Sequence, residues 1–251
     1  MKGFNVLVSL VAASTLVSAA RTFTVKNSCS YTVWPAIFTD PAAGSATPNQ
    51  PTGWVAPAGS SVSFQVPDNW TSGRIWARTG CNFSSTSGSC ATGNCNGGLL
   101  CTGAPAPPVS VAEFALSVGG RTDFPDVSLI EGFNVPITIS NTAGCNVPAC
   151  KVDLNPTCPS MLKVVDSTGK TVGCNSACSA NLDGNPANSP NCCTGNFGLP
   201  STCPSSGVAF YSFFKNACPN AYAYTYDESG ATPILTCSSS LHADYTVTFC
   251  G

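Results

Sequence analysis

Residues 73–81 read GRIWARTGC, an alternating polar and apolar segment that ends in a cysteine. On a β-strand, successive side chains point to opposite faces of the sheet. Arg74, Trp76 and Arg78 therefore share one face, and Ile75 lies on the other. The segment predicts a strand with one apolar face and one face that carries arginines.

Comparable strand patterns occur on both sides of this segment. They lie at residues 22–26, 31–34, 61–66, 109–116, 135–139 and 245–250. Turn-rich sequence with Gly and Pro separates them, and the best helix candidate, residues 208–218, is short. Several short strands with little helix favour a mainly β fold, an antiparallel β-sandwich.

The cysteines predict how this fold is held together. All sixteen lie between Cys29 and Cys250. An even, high count in a secreted chain indicates a disulfide framework, although spacing alone does not determine the pairs. Residues 81–101 hold four cysteines and almost no aliphatic side chains, so this segment needs local bridges. Neither a zinc site nor another cofactor is predicted, because His242 is the single histidine and no two cysteine pairs have CxxC spacing.

The N-terminal residues 1–20 resemble a secretory signal peptide. Lys2 precedes an uncharged apolar run at residues 4–17, and the small residues that follow predict cleavage after Ala19 or Ala20. This run is shorter than the roughly 20 residues that span a bilayer, and no later segment approaches that length. We therefore expect a secreted protein, extracellular or in a cell wall, without a transmembrane segment. The alternative is a buried N-terminal strand.

Charge is sparse along the chain. Ten basic and twelve acidic residues give a formal net charge of −2 at pH 7. No run of Lys or Arg could follow a phosphate backbone, so nucleic acid is not an expected partner. The abundance of Ser, Thr, Asn and Gly suits an uncharged polar ligand better.

Four of the twelve acidic residues cluster between positions 113 and 131. They are Glu113, Asp123, Asp126 and Glu131, and they alternate with apolar residues. Carboxylates that are partly buried near one another cost free energy unless a cation or hydrogen-bond donors compensate. Paired carboxylates are also the usual apparatus of glycoside hydrolysis. Two interpretations remain open: an acidic cleft, or surface acids that cap turns and pair with Arg121.

Other chemistries have weaker support. The chain has no GxSxG motif, and a histidine-based catalytic triad could use only His242. Two N-glycosylation sequons are present, at Asn69 and Asn82, and they are plausible in a secreted chain.

Several segments together resemble the thaumatin-like protein family, which includes pathogenesis-related proteins similar to osmotin and zeamatin. The segments are GRIWARTGC at 73–81, CATGNC at 90–95, PPVSVAEF at 107–114, DFPDVSLIEGFNVP at 123–136, the Cys192-Cys193 pair, FFKNACP at 213–219 and VTFC at 247–250. The resemblance covers essentially the whole chain after residue 20, and the sixteen cysteines follow the family's order.

The resemblance implies a flattened antiparallel β-sandwich with two disulfide-rich lobes in a single domain, residues 21–251. The sandwich would comprise about 21–80, 109–150 and 219–251, the small lobe about 81–108 and the large lobe about 151–218. The disulfides would be Cys29–Cys250, Cys81–Cys90, Cys95–Cys101, Cys145–Cys237, Cys150–Cys218, Cys158–Cys174, Cys178–Cys192 and Cys193–Cys203. A monomer is expected for so heavily bridged a chain.

The resemblance also implies a cleft lined by one arginine and four acids. By motif they are Arg74, Glu113, Asp126, Glu131 and Asp227, with Glu131 in place of the family's usual aspartate. Glu113 would donate a proton, and Asp126 or Glu131 would act as the second catalytic carboxylate. Arg74 and Asp227 would bind substrate.

The function that the resemblance implies is binding of β-1,3-glucan or a related cell-wall polysaccharide through the acidic cleft, with antifungal action on cell walls. Weak endo-β-1,3-glucanase activity is compatible with this site, so the sequence leaves enzyme and binder both open. The alternative is a non-enzymatic defence protein that perturbs membranes or inhibits a hydrolase.

Overall fold

A computed structural model of the chain describes residues 20–44, 46–84, 88–230 and 234–251. Residues 1–19 of the predicted signal segment lie outside the described residues, so its cleavage stays a prediction. Among the described residues, no helix is both long and apolar enough to cross a membrane.

The described residues form mainly β structure, which confirms the predicted fold class. The strands are β1 (Ala20–Asn27), β2 (Trp34–Thr39), β3 (Ser61–Pro67), β4 (Gly73–Arg78), β5 (Val111–Val118), β6 (Thr122–Ser128), β7 (Ile137–Asn141), β8 (Ala149–Cys150), β9 (Lys163–Val165), β10 (Thr171–Cys174), β11 (Cys237–Ser238) and β12 (Tyr245–Phe249). Short 3-10 helices span Asn155–Thr157, Gly195–Phe197, Ser205–Gly207, Asp227–Ser229 and Ser239–Leu241.

The α-helix, α1, is shorter than the sequence pattern suggests. It spans Tyr211–Ala217, whereas the pattern covers residues 208–218. Phe210 precedes it with a φ of 59°, in the left-handed region that cannot continue a right-handed helix. The helix therefore begins after Phe210.

Two five-stranded sheets form the sandwich. In the first sheet the strand order is β3-β1-β12-β7-β8, and in the second it is β11-β6-β5-β4-β2. All pairs are antiparallel except β1 with β12, which run parallel. Parallel strands need a long connection, and here residues 28–244 form it. This pair is the one departure from the predicted antiparallel pattern.

The core between the sheets is aromatic at its centre. Phe23, Trp70, Phe114 and Tyr245 are each at most 2% exposed, and their ring centroids lie 4.8–5.7 Å apart in the contacting pairs. Burial of a large apolar side chain stabilises the folded state by about 1.5–3 kcal/mol. These aromatic residues fix how the second sheet lies on the first.

All sixteen cysteines are paired. The pairs are Cys29–Cys250, Cys81–Cys90, Cys95–Cys101, Cys145–Cys237, Cys150–Cys218, Cys158–Cys174, Cys178–Cys192 and Cys193–Cys203, the same eight that the resemblance implies.

A small disulfide-bonded segment, residues 93–101 with the Cys95–Cys101 bridge, covers part of the outer face of the second sheet. Trp76 is fully buried there and donates its indole N–H to the Gly93 carbonyl at 2.8 Å. Arg78 donates to the Gly98 and Leu99 carbonyls at 2.7 and 2.8 Å. Burial lowers the pKa of Arg78 to about 10. The end of β4 thus holds this segment on the sheet, and the beginning of β4 stays uncovered.

Candidate functional site

Three charged side chains form a row across the second sheet. Arg74 on β4 pairs in register with Glu113 on β5, and Glu113 pairs with Asp126 on β6. Residues directly opposite on antiparallel strands project from the same face, so the three side chains are neighbours. The Arg74 Nε donates to Glu113 Oε1 at 2.7 Å. We call Arg74, Glu113 and Asp126 the acidic row.

The acidic row lies on the outer face of the sheet, beside the covered part. Two pairs further along the same strands, and on the same face, Trp76 and Val111 lie under the small disulfide-bonded segment and are at most 4% exposed. The side chains of Arg74 and Glu113 are instead 42% and 27% exposed. The row is therefore an accessible strip of the sheet.

Burial and charge act together on Asp126. The pKa of its carboxyl is raised well above the usual range, first because burial disfavours the charged form and next because the Glu113 charge lies nearby. Arg74 opposes this shift, and Glu228 adds to it. Arg74 thus pairs with Glu113, and Asp126 is the acid of the row whose neutral form is favoured by its surroundings.

Sequence reasoning missed three residues beside the row, namely Tyr222, Phe38 and Glu228. Tyr222 lies against β6, where its backbone N–H donates to the Val127 carbonyl at 2.8 Å. Burial, followed by the charges of Asp126 and Glu228, raises the pKa of Tyr222 to about 12, so its hydroxyl keeps its proton at neutral pH. Phe38 on β2 pairs in register with Arg74 and is half-buried.

Asp227 is predicted to bind substrate, and in the structure its side chain is buried. Its side chain is fully buried, and it accepts hydrogen bonds from the Tyr211 hydroxyl at 2.7 Å, Lys215 Nζ at 2.9 Å and the Ala223 N–H at 2.8 Å. The 3-10 turn that begins at this residue directs Asp227 inward and leaves Glu228 exposed. Glu228 is therefore the exposed acid of this segment, and substrate binding by Asp227 stays a prediction.

Glu131 lines a cavity to which no residue of the acidic row contributes. It is exposed, accepts a hydrogen bond from Ser179 Oγ at 3.3 Å, and lines a cavity of about 260 Å³ together with Tyr211 and Tyr224. It is not among the groups that shift the pKa of Asp126. Glu131 therefore faces the residues of the predicted large lobe.

Asp123 belongs to the core. It is fully buried, forms an ion pair with Arg21, and accepts hydrogen bonds from the Tyr245 hydroxyl and the Ser239 hydroxyl, each at 2.8 Å. Among the described residues, the ion pairs made by the acidic cluster are Arg21–Asp123 and Arg74–Glu113. The alternative in which these acids pair with Arg121 is therefore not observed.

Two kinds of candidate site remain: a metal centre and the two N-glycosylation sequons. In the part of the chain that the structure describes, no group of three or more His, Cys, Asp or Glu side chains could hold a metal ion. Asn69 and Asn82 are both exposed. The Ser84 N–H and hydroxyl donate to Asn82 Oδ1 at 3.0 and 2.7 Å, so this sequon forms a compact turn.

Comparison with known proteins identifies relatives along nearly the whole chain. A model of the thaumatin family matches residues 27–251. Pathogenesis-related thaumatin-like protein 3.5 from Cryptomeria japonica is 44% identical over 239 residues, which cover 93% of this chain and 91% of that protein. Pathogenesis-related protein 5 from Arabidopsis thaliana is 40% identical over 255 residues, 100% of this chain and 98% of that protein. A protein from Prunus avium named glucan endo-1,3-beta-glucosidase is 38% identical over 238 residues, 92% and 91% of the two chains.

Proposed function

Because this chain belongs to the thaumatin family, we propose that it is a secreted protein that binds β-1,3-glucan along the acidic row. Secretion is supported by the predicted signal segment and by eight disulfides, which persist in oxidising compartments. The choice of glucan is supported by the relative named as a glucan endo-1,3-beta-glucosidase. An antifungal action on cell walls would follow from such binding.

The observation that carries this proposal is the alternation of donors and acceptors in the row. Arg74 donates, Glu113 accepts, and a protonated Asp126 can do both. The Tyr222 hydroxyl adds another donor at the edge. Sugar hydroxyls also donate and accept, so a neutral polysaccharide can satisfy these groups without bringing a charge of its own.

The geometry suits a polymer. The row lies on a strip of sheet with Phe38 beside Arg74, and a half-buried aromatic ring offers an apolar surface to a sugar ring. A chain of sugars can lie across strands β4 to β6 and continue beyond them at both ends. Binding through an open strip of this kind requires no enclosed pocket.

Slow hydrolysis is the second candidate, and the raised pKa of Asp126 favours it. A protonated carboxyl beside an ionised one is the arrangement that glycosidases use. Asp126, rather than Glu113, would then be the proton donor. The Arg74 ion pair restrains Glu113 as a nucleophile, and for this reason we place binding first.

Binding and hydrolysis can be separated with conservative variants. Binding of laminarihexaose is measured by calorimetry, and release of reducing ends is measured on soluble laminarin. We expect Glu113→Gln to weaken binding about tenfold or more, because a hydrogen bond to a charged group contributes about 1.5–3 kcal/mol. Asp126→Asn should abolish any hydrolysis.

Asp244→Asn is the matched control. This carboxylate lies by the other sheet and accepts the Thr22 N–H at 2.7 Å, which the asparagine oxygen can still do. Wild-type affinity in Glu113→Gln, or an equal loss in Asp244→Asn, would refute binding at the row. Binding without reducing ends in the wild type would leave the protein a glucan binder and reject the enzymatic candidate.

A further inference from the structure

We propose a second ligand site, a groove around Tyr31 that binds a neutral oligosaccharide. The Tyr31 groove has a volume of about 730 Å³ and is lined by Tyr31, Asp153, Asn155, Asp166 and Lys170. It adjoins a cavity of about 480 Å³ that shares Tyr31, Asp153 and Asn155 with it. Nothing in this inference depends on the acidic row.

The groove is remote from the acidic row along β4. Its nearest contribution from that part of the chain is Thr79, five residues after Arg74. Five residues of extended strand span about 16 Å. The opposite side of the groove comes from Asn155 and from the β9–β10 hairpin, including Lys170. A ligand in the groove would therefore touch residues that a ligand on the row does not.

The size and charge of the groove select a class of ligand. Pockets that bind small molecules commonly measure about 300–1,000 Å³, and the Tyr31 groove lies in this range. The acids Asp153 and Asp166 are offset by Lys170 and, in the adjoining cavity, by Lys151. Asp166 already accepts hydrogen bonds from the Thr168 hydroxyl and N–H. A groove with balanced charge favours a neutral ligand over a polyanion or a cation.

Tyr31 supplies an accessible aromatic face. Its side chain is 48% exposed, which makes it one of the exposed large hydrophobic residues of the described chain. Burial and the nearby Asp153 carboxylate raise the pKa of its hydroxyl, which therefore stays a hydrogen-bond donor at neutral pH. An aromatic face with a polar tip, beside the apolar atoms of Pro156 and Val172, matches a sugar ring, which has apolar C–H faces and a hydroxyl rim.

Asn155 provides an independent indication of a missing partner. Its Nδ2 donates to the Asn134 carbonyl at 2.8 Å, whereas its Oδ1 is buried and has no hydrogen-bond partner among the described residues. A buried acceptor without a partner costs free energy. A ligand hydroxyl or an ordered water at the wall of the groove would satisfy it after a small movement of the side chain.

The test uses the full secreted chain and three neutral probes: laminarihexaose, cellohexaose and chitohexaose. Backbone hydrogen exchange is followed by mass spectrometry during titration with each probe. We expect at least one probe to slow exchange in residues 151–157 and 163–173. Tyr31→Ala should weaken that protection about tenfold or more, as truncation of an aromatic anchor does in other interfaces. Tyr31→Phe keeps the ring and loses only the hydroxyl, so it should weaken the protection less than Tyr31→Ala does, by about two- to tenfold, as expected for the loss of one neutral hydrogen bond.

Two further variants keep the outcome decisive. Ser167→Trp places a bulky side chain at an exposed position in the groove and should also abolish the protection. Leu199→Ala, at a residue that is 61% exposed in another part of the surface, should leave it unchanged. Glu113→Gln should leave protection in the groove unchanged as well, which separates this site from the acidic row.

Three results would overturn the proposal. The first is that none of the three neutral probes protects the groove segments. The second is that only an anionic probe, a heparin-derived hexasaccharide, does so. The third is that protection survives both Tyr31→Ala and Ser167→Trp in folded protein.

Discussion

Replacement of Asp227 by asparagine should destabilise the protein strongly, because its buried carboxylate forms an ion pair with Lys215. Its Oδ2 accepts from Lys215 Nζ at 2.9 Å and from the Ala223 N–H at 2.8 Å. In Asp227→Asn the neutral amide can turn its oxygen toward these two donors or toward the Tyr211 hydroxyl, but in either orientation the Lys215 ammonium loses its anionic partner and keeps the Ala221 carbonyl at 3.1 Å. Breaking a buried ion pair by removing one partner costs about 3–5 kcal/mol.

The expected loss can be expressed as a change in Tm. For a domain of this size, 1 kcal/mol corresponds to about 2–4 °C, so Asp227→Asn should lower Tm by roughly 6–20 °C. Circular dichroism during heating measures it, and Glu228→Gln, at the exposed neighbour, is the control that should change stability by no more than about 0.5 kcal/mol. Addition of Lys215→Met to Asp227→Asn should recover part of the loss, because no ammonium is then left unpaired.

A Tm within about 2 °C of wild type would refute this reasoning, since a buried and fully bonded carboxylate could then be neutralised at little cost. The same variant also tests the link to the acidic row. The Ala223 N–H that Asp227 accepts adjoins Tyr222, so a loosened segment should weaken laminarihexaose binding in the protein that remains folded. Unchanged binding would show that the buried ion pair does not position Tyr222.

Three further predictions concern other parts of the chain. Asp126→Asn should raise Tm at neutral pH. Folding raises the pKa of the Asp126 carboxyl, so the folded protein loses stability as the pH rises from the unfolded pKa, about 4, through the folded pKa. The gain in Tm should vanish below about pH 4, and a Tm difference that does not change with pH would contradict this reasoning. Arg78→Lys should speed backbone hydrogen exchange in residues 94–102, because a single ammonium cannot replace the guanidinium group that bonds two carbonyls of that segment. Exchange at the wild-type rate there would argue against this anchoring role. In a eukaryotic secretory host, intact mass should show a glycan that Asn82→Gln and Asn69→Gln each reduce, since both residues are exposed; masses equal to the bare chain would exclude glycosylation.

Strand patterns were the most readable part of the sequence. Alternation placed Arg74 on the polar face of β4 and Ile75 in the core, and both placements are confirmed. The family resemblance is confirmed as well. Pairing between strands could not be read in the same way, because register depends on contacts between residues far apart in sequence. For this reason only the structure shows that Arg74, Glu113 and Asp126 are direct neighbours.

The acidic cluster shows a signal that could have been used. Asp123 and Asp126 are three positions apart on β6, and an odd separation on a strand places two side chains on opposite faces. The odd separation alone thus predicts that Asp123 and Asp126 lie on opposite faces of the sheet, one in the core and the other in the row. Glu131 follows the end of β6, where alternation no longer applies, and its orientation toward the large lobe could not be read from a strand pattern.

The burial of Asp227 could not be predicted, for a different reason. Asp227 and Glu228 are adjacent acids in a short turn, and no periodicity distinguishes the inward residue from the outward one. The partner that draws Asp227 inward, Lys215, lies on α1, and the two meet only through tertiary packing. Tyr222 was missed because a tyrosine in an irregular segment carries no local sign that it adjoins β6.

The parallel pairing of β1 with β12 determines when this protein can fold during its synthesis. Phe23 to Asn27 lie beside Tyr245 to Phe249, and a disulfide joins residues separated by 221 positions just beyond these strands. While the ribosome is still adding the intervening residues, β1 can pair with β3 on one side only. Its other edge is a template for unwanted pairing with a second chain. Assembly of the first sheet must therefore wait until residues 245–249 have been synthesised, and folding through so distant a contact should be slow.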